Sequence, residues 1–285
     1  MKRLTLGLTA LLAACVGRPP VPAPAPHYVL GGAYQAGGVW FYPEERFELT
    51  ETGLAAVIPP GQPALTTDGE RYDHDAMAAE HPTLQLPAIL HVRNLQNGRE
   101  ITLRANDRGP LSPGRVLSVT PRAALLLGMD PGRATRVRVA EDELLSRDLL
   151  GRVQGAPPPD VAAAPVGAVQ EQSLMPAGEG GQPTPTATRS AEGPTGPTLA
   201  DLRPETVIAG IADPGQLWID AGHFSQPGYA RRLAAILAGT VRENGRNRSA
   251  VFSVRLGPFS RVEEADAALD RARFAGVTGA RIIVE

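Results

Sequence analysis

Apolar and polar positions alternate in residues 28–140 with the short period of β-strands. In residues 101–105 every second side chain is apolar, the pattern of a strand with one buried face. An Asn-Gly pair at 97–98 follows an extended apolar run at 88–94, which predicts a tight hairpin. With further turn signals and one short helix at 121–127, this region is predicted to fold as a mainly β barrel domain.

Residues 211–285 carry a second, mixed pattern in which strand-like runs alternate with helical apolar spacing. The predicted elements are, in order, a strand at 218–224, an amphipathic helix at 229–241, a strand at 251–256, a helix at 262–274 and a strand at 280–284. This order predicts a small α+β domain of the form βαβ–βαβ with an antiparallel sheet.

Residues 1–14 have the pattern of an export signal. Lys2 and Arg3 precede an apolar run at 4–14, which is too short to span a membrane because a spanning helix needs about 20 apolar residues. The run ends in Leu-Ala-Ala-Cys, the pattern of a bacterial lipobox, and predicts lipid attachment at Cys15. The alternative is an ordinary signal peptide that contains a cysteine. Val16 follows where an aspartate would signal inner-membrane retention, which favours the outer membrane.

Two stretches are poor in large apolar residues. Residues 15–27 are rich in proline and are predicted to form a stiff tether close to polyproline II. Residues 141–210, which connect the two patterned regions, are rich in Pro, Ala, Gly, Thr and Gln. Such a composition buries too little apolar surface to offset the entropy of ordering, so this range is predicted to be a disordered linker.

The charge balance and the cysteine count exclude several classes of protein. The formal net charge is −2, without the basic excess that nucleic-acid-binding domains carry. The chain has 1 cysteine, so no intramolecular disulfide can form, and its 5 histidines lack the spacing of a zinc site. We therefore expect no nucleic-acid partner, no metal and no cofactor.

Several motifs of the first region occur together in the order and spacing of a known family. Residues 67–73 (TDGERYD), 78–87 (AAEHPTLQLP), 92–99 (VRNLQNGR) and 106–110 (NDRGP) resemble the rare lipoprotein A family. The resemblance implies a double-psi β-barrel. Characterised members are lytic transglycosylases that cut peptidoglycan glycan strands lacking stem peptides and leave 1,6-anhydro ends. We expect a role in cell-wall remodelling and daughter-cell separation.

Residues 211–285 resemble the sporulation-related repeat, called the SPOR domain. The segments 218–224 (WIDAGHF) and 257–259 (GPF) resemble its first strand and its Gly-Pro-Phe turn. The resemblance implies preferential binding to denuded glycan strands at division sites. The protein is therefore expected in the cell envelope, anchored in the periplasm by its lipid and enriched at the division septum, with division-site proteins as candidate partners.

Four residues of the family motifs are candidates for catalysis. Cleaving a glycosidic bond requires an acid to protonate the leaving oxygen, and a transglycosylase then uses a base to accept a proton from the sugar's own 6-hydroxyl. One carboxyl can serve both steps if burial or a like charge raises its pKa. The resemblance suggests Asp73 or Asp107 as this acid/base, His81 as its orienting partner and Glu70 as a group that tunes the local charge.

Each candidate also has a simpler interpretation. Asp107 fits a turn aspartate, His81 a loop histidine bonded to backbone, and Glu70 and Asp73 solvated loop charges. The predicted substrate-binding residues are Asn106 and Arg108 in the first region, and Trp218 and Phe224 in the second. For the two aromatic residues, packing within the sheet is the alternative.

Two segments depart from the family pattern. Residues 54–65 lack its aromatic pair and its basic residue, and Ser118, in the segment LSVT, stands where the family has the aspartate of Ile-Asp-Leu-Ser. These departures favour a rival hypothesis, a non-catalytic peptidoglycan-binding lipoprotein with a degenerate barrel, whereas the four retained candidates favour the enzyme. An expansin-like protein, which loosens the wall and breaks no covalent bonds, is a third hypothesis.

Overall fold

The computed structural model describes residues 22–110, 112–157, 206–245 and 250–285 of the protein. The predicted signal peptide, Cys15 and residues 158–205 of the predicted linker lie outside the described residues. The first region contains β1 (Tyr34–Ala36), β2 (Val39–Phe41), β3 (Thr50–Val57), β4 (Ala78–Glu80), β5 (Ala88–Asn94), β6 (Arg99–Asp107), β7 (Arg115–Val119), α1 (Pro121–Leu127), β8 (Thr135–Glu141) and α2 (Glu143–Leu150). The short strand β9 (Ile208–Ala209) comes next, and the second region contains β10 (Leu217–Phe224), α3 (Pro227–Leu237), β11 (Thr240–Asn244), β12 (Val251–Phe259), α4 (Val262–Phe274) and β13 (Arg281–Val284).

Six strands of the first region close into a barrel. The hydrogen-bonded order around the ring is β4, β7, β3, β8, β5 and β6, and β6 pairs back to β4. The pairings of β3 with β7 and of β4 with β6 are parallel, and the other four are antiparallel. The predicted mainly β barrel is therefore confirmed, and closure leaves no unpaired edge within the ring.

The barrel core follows from the alternation in the sequence. Leu90 and Val92 of β5 and Ile101 and Leu103 of β6 are buried in it, while the residues between them are more exposed. The predicted hairpin joins these two strands, and Gly98 in its turn has a φ of 79°, a conformation that favours glycine.

Local signals also fix the helix α1. The Thr120 hydroxyl accepts a hydrogen bond from the Ala123 N–H, Pro121 occupies the first turn, and Gly128 ends the helix with a φ of 66°. The helix spans the predicted residues, and Ala123 and Leu127 pack into the barrel core.

The second region is the predicted α+β domain. Its sheet has the order β11-β12-β10-β13, and every pair in it is antiparallel. One predicted boundary is wrong: α3 ends at Leu237 and does not continue to Val241. Ala238 adopts a φ of 52°, and Val241 pairs with Val254 of β12, so strand pairing overrides the helical apolar spacing there. No helix among the described residues is long and apolar enough to cross a membrane.

Ordered elements occupy both ends of the range predicted as a linker. After β8, the Asp142 side chain accepts a hydrogen bond from the Leu145 N–H at 2.9 Å and begins α2. At the other end, β9 pairs with β6. The predicted tether also contacts the barrel region, because His27 forms a β-bridge with Gln154.

Apolar contacts join the two regions. Leu54 of β3 is fully buried and belongs to the same apolar cluster as Leu217 and Leu269 of the second region. On the same strand, the Thr52 hydroxyl donates to the Val284 carbonyl at 2.7 Å and accepts from the Val284 N–H at 3.2 Å. The second region therefore packs against the barrel at β3.

Charged contacts reinforce this interface. Arg115 of β7 forms a bidentate ion pair with Asp266 of α4, and its side chain is mostly buried. Arg136 of β8 donates to the carbonyls of Gly215 at 3.0 Å and Ser260 at 2.6 Å. Three neighbouring barrel strands therefore contact the second region.

Candidate active site

The loop between β3 and β4 carries the first family motif and has a tightly bonded conformation. Asp68 Oδ1 accepts hydrogen bonds from the Thr66 hydroxyl at 2.7 Å and from the Glu70 N–H at 3.2 Å. Gly69 has a φ of 84°, and a Cβ there would lie 2.4 Å from the carbonyl oxygen of Ala25. The Ala25 N–H in turn donates to the Gly69 carbonyl at 2.9 Å, so this position requires glycine.

Glu70 attaches this loop to β6. Its Oε2 accepts a hydrogen bond from Asn106 Nδ2 at 2.8 Å and forms an ion pair with Arg104. Its Oε1 is buried and has no hydrogen-bond partner among the described residues. Glu70, predicted to tune the local charge, is thus a buried and paired carboxylate. Asn106, predicted to bind sugar, directs its amide N–H to Glu70.

Asp107 lies at the end of β6 and is half-buried. Its Oδ1 accepts hydrogen bonds from the Thr67 N–H at 2.9 Å, from the Thr67 hydroxyl and from the Arg108 N–H at 2.8 Å. Three donors converge on one oxygen, an arrangement that suits an ionised carboxylate. Asp107 is therefore held in a fixed position at the end of a barrel strand.

His81 is buried, with 1% of its surface exposed. Its Nδ1 accepts hydrogen bonds from the N–H groups of Thr83 at 3.2 Å and Leu84 at 3.1 Å. The ring proton therefore resides on Nε2, which donates to Glu51 Oε1 of β3 at 3.1 Å. The ring has no hydrogen bond to Asp107, and the two residues meet through the backbone, where the His81 N–H donates to the Asp107 carbonyl at 3.0 Å.

Asp73 is exposed in the loop before β4. Its Oδ1 accepts a hydrogen bond from the Asp75 N–H at 2.9 Å, which is a local turn contact. Ligand atoms of Asp73, His74 and Asp75 lie within 4.8 Å of one another, an arrangement that exposed acidic loops commonly have. The structure thus brings Glu70 and Asp107 to the end of β6 and leaves Asp73 among solvated side chains.

Glu80 is absent from the residues predicted from the sequence. It is 5% exposed, and it points away from the barrel core that its neighbour Ala79 enters. Strand pairing sets Glu80 beside Ser118 of β7 and Asp107 of β6. Burial and the charge of Asp107 raise the pKa of Glu80 to about 7, and a hydrogen bond with Ser118 offsets part of this rise.

A second observation fixes the position of the Glu80 carboxyl. A Cβ on Gly109 would lie 2.3 Å from Glu80 Oε2, so the carboxyl rests against the backbone of the turn that follows Asp107. The sequence contains one signal for this residue, a glutamate within the small apolar run of β4 directly before His81.

Asp68 is also absent from the sequence prediction. It is fully buried, and burial followed by the charge of Glu70 raises its pKa to about 7. Its Oδ2 has no hydrogen-bond partner among the described residues. We call Asp68, Glu70, Glu80 and Asp107 the carboxyl cluster. Because burial raises the pKa of Asp68 and of Glu80 to about 7, these two carboxyls can give or accept a proton near neutrality.

Arg108, predicted to bind sugar, is directed into the protein. Its guanidinium donates to the carbonyls of Leu30 at 2.7 Å, His81 at 3.3 Å and Leu84. Burial lowers its pKa. These contacts tie the segment before β1 and the loop after β4 to the turn that carries Asp107.

The two predicted aromatic residues of the second region differ in their surroundings. Trp218 is half-buried on β10 and lines a pocket with Thr240, Val241, Arg242 and Arg255. Phe224, at the end of the same strand, packs against the apolar cluster of that region. Trp218 thus lies beside a polar opening, whereas Phe224 contributes to packing.

Comparison with known families matches both regions. The family described as lytic transglycolase, a double-psi β-barrel family, matches residues 50–140, from β3 to β8. The SPOR domain family matches residues 213–282. The closed ring, its two parallel pairings and these matches define a double-psi β-barrel protein with a C-terminal SPOR domain.

Comparison with individual proteins shows to which family the chain belongs. A Pseudomonas aeruginosa UCBPP-PA14 protein named endolytic peptidoglycan transglycosylase RlpA is 31% identical over 281 residues, covering 92% of this chain and 80% of the relative. A Yersinia pestis protein of the same name is 26% identical over 330 residues, covering 90% and 91%. The chain belongs to the rare lipoprotein A family. The crystal structure of the RlpA SPOR domain from Pseudomonas aeruginosa is 25% identical and covers 24% of this chain and 99% of that chain, with a TM-score of 0.23.

Proposed function

We propose that this protein is a lytic transglycosylase that cleaves β-1,4 glycosidic bonds of peptidoglycan glycan strands. The observation that carries the proposal is Asp107, a carboxylate held by three donors at the end of a barrel strand beside the buried members of the carboxyl cluster. The substrate class is supported by relatives that bear this activity in their names and align over most of the chain.

The reaction needs no water nucleophile. The bond between C1 and the bridging oxygen breaks, the bridging oxygen receives a proton, and the sugar's 6-hydroxyl loses one as its oxygen bonds to C1. Asp107 is the proposed base, and Asp73, the other carboxyl of the motif, is a second candidate. His81 is a positioning residue, because its bonds to Glu51 and to backbone N–H groups hold the segment after β4 against Asp107.

The test is direct. Purified protein is incubated with glycan strands freed of stem peptides, and the products are examined by mass spectrometry for 1,6-anhydro ends. Asp107→Asn keeps the side-chain shape and is expected to lower the rate about 10²–10⁴-fold. Asp130→Asn is the matched control, because Asp130 is an exposed turn aspartate that accepts from the Gly132 N–H at 2.9 Å.

Replacing Asp73 by asparagine separates the two carboxyl candidates. A large loss of activity in Asp73→Asn and no loss in Asp107→Asn would indicate that the base is Asp73, in the exposed loop. His81→Ala is expected to reduce activity because it releases the segment after β4. If wild type forms no anhydro ends, the proposal fails and the alternative of a non-catalytic peptidoglycan-binding lipoprotein is favoured, which Ser118 and residues 54–65 support.

The C-terminal SPOR domain is proposed to direct the barrel to denuded glycan at the division septum. The pocket beside Trp218 is lined by its aromatic ring and by Arg242 and Arg255, which both form ion pairs with Glu285, and such aromatic and polar groups suit sugar rings and hydroxyls. The full chain is expected to sediment with amidase-treated sacculi, and Trp218→Ala to weaken this binding. Equal binding to intact and treated sacculi would contradict the preference for denuded strands.

Lipid attachment at Cys15 is proposed to anchor the protein to the outer membrane on its periplasmic side. The support is the Leu-Ala-Ala-Cys sequence after the charged and apolar N-terminal segment. Replacing Cys15 with serine is expected to release the protein into the soluble periplasmic fraction. A variant that remains with salt-washed outer membranes would show that the cysteine is not the anchor.

A further inference from the structure

We propose that Glu80 is a second catalytic carboxyl, which donates the proton to the leaving glycosidic oxygen while Asp107 accepts the proton of the 6-hydroxyl. This inference rests on the proposed function and assigns its two proton transfers to different residues. It arises from the juxtaposition of Glu80 and Asp107 on paired barrel strands.

Glu80 and Asp107 lie next to each other in the fold although they are far apart in the chain. The parallel pairing of β4 and β6 sets Glu80 opposite Asp107, and the Glu80 carboxyl lies against Gly109 in the turn that follows Asp107. The neighbouring His81 N–H donates to the Asp107 carbonyl at 3.0 Å, which holds the two strand ends together.

The two carboxyls lie in different environments. Asp107 Oδ1 receives three hydrogen bonds from Thr67 and Arg108, donors that suit a negative charge. Glu80 is buried, and its polar neighbour across the strand pair is the uncharged Ser118. Burial and the nearby Asp107 charge raise the pKa of Glu80 to about 7, so Glu80 keeps its proton up to near neutrality.

The groups that face Glu80 come from four elements. Asp107 faces Glu80 from β6, Ser118 from β7, Tyr34 from β1 and Tyr72 from the loop before β4. Burial raises the pKa of both tyrosines, and the charges of Glu80 and Asp107 add to the rise, whereas the charge of Arg108 lowers the pKa of Tyr34 in part. The phenols therefore stay uncharged near neutrality, and they lie close enough to both carboxyls to form part of the same site.

The proposed step balances. The bond from C1 to the bridging oxygen breaks, and that oxygen takes the proton of Glu80. The 6-hydroxyl oxygen bonds to C1 of its own sugar, and its proton passes to Asp107. After the products leave, the proton returns from Asp107 to Glu80, directly or through solvent, and no co-reactant is consumed.

The experiment compares the full-length variants Glu80→Gln and Glu141→Gln with wild type on glycan freed of stem peptides. Mass spectrometry measures the anhydro-ended product of each. Glu80→Gln keeps the volume of the side chain and removes its transferable proton, so the rate is expected to fall about 10²–10⁴-fold. Glu141→Gln is the matched control, because burial also raises the pKa of Glu141 to about 7, yet its carboxyl bonds to Gln85 away from the carboxyl cluster. This control is expected to retain wild-type activity.

The pH profile tests the role of Glu80 as an acid. Wild-type activity is expected to decline above about pH 7, where Glu80 loses its proton, and the residual activity of Glu80→Gln is expected to lack this decline. In Glu80→Ala assayed at about pH 5, where part of the added formate is formic acid, activity is expected to rise with formate concentration, because the acid replaces the missing donor. A structural role alone would give neither result.

The outcomes distinguish this inference from the function on which it rests. If wild type makes anhydro ends and Glu80→Gln matches it, or loses activity with an unchanged pH profile and no formate rescue, Glu80 is not the acid although the enzyme assignment stands. If wild type makes no anhydro ends, the proposed function itself fails. Reduced activity in Glu141→Gln as well would indicate a general effect of removing buried carboxyls and would also overturn the inference.

Discussion

Replacing Glu80 by glutamine is expected to stabilise the folded protein at pH 8 and to change its stability little at pH 5. Folding buries the carboxyl beside Asp107 and raises its pKa from 4.5 to about 7. The folded protein therefore binds this proton more tightly than the unfolded chain does. The stabilising contribution is complete below the unfolded value and is lost as the pH rises through the folded value.

The magnitude follows from the size of the shift. At about 1.4 kcal/mol for each pKa unit, full ionisation of Glu80 costs about 3 kcal/mol of unfolding free energy at pH 8 and less than about 1 kcal/mol at pH 5. Glutamine has no charge to lose and can still bond to Ser118. Urea unfolding followed by circular dichroism at both pH values measures the difference between variant and wild type.

A control variant at the exposed residue Glu48 makes the result specific. Glu48→Gln is expected to leave stability nearly the same at both pH values, because the Glu48 side chain is exposed to water in the folded protein as it is in the unfolded chain. If Glu80→Gln differs from wild type by the same amount at pH 5 and pH 8, folding does not change the proton affinity of Glu80. Burial and the Asp107 charge would then not raise the pKa of Glu80.

Three further predictions concern the loop, the interface and the core. Gly69→Ala is expected to destabilise the protein by about 1–2 kcal/mol because of the left-handed φ at this position. The contact of the new Cβ with the Ala25 carbonyl adds a further destabilisation. Thermal unfolding measures the total loss of stability. Asp266→Arg is expected to separate the two regions and to enlarge the radius of gyration measured by X-ray scattering, because it breaks the ion pair with Arg115. The double variant Arg115→Asp with Asp266→Arg is expected to restore the compact value. An unchanged radius of gyration in the single variant would show that the ion pair does not hold the interface. Leu54→Ala is expected to cost about 2–5 kcal/mol because Leu54 is fully buried between the regions, and a loss below about 1 kcal/mol would contradict that packing.

Local signals in the sequence predict most of the secondary structure. The hairpin between β5 and β6, the helix α1 and the helix α4 lie where alternation, capping residues and turn residues place them. These signals act over a few residues, so they can be read along the chain. The helix α3 shows their limit: Val241 has helical spacing from Leu237, yet pairing with β12 draws it into a strand.

The family motifs in the sequence make Glu70, His81 and Asp107 candidate site residues, but the contacts of these residues depend on the closed barrel. His81 bonds to Glu51, and Glu70 bonds to Arg104 and Asn106, partners that lie about 30 residues or more away in the chain. Spacing along the sequence carries no signal for such partners, because they meet only when separate strands pair.

Glu80 shows most clearly what the tertiary structure decides. In the sequence it is one glutamate directly before His81, and nothing there distinguishes it from an exposed carboxyl such as Asp73. The parallel pairing of β4 with β6 sets Glu80 beside Asp107, and the antiparallel pairing of β4 with β7 sets it opposite Ser118. Glu80 is buried between these strands. The sequence by itself determined where most of the strands, turns and helices form, since those depend largely on neighbouring residues. The tertiary structure decided which carboxyls are buried and which charges they face, because desolvation and Coulomb interactions depend on distance in space.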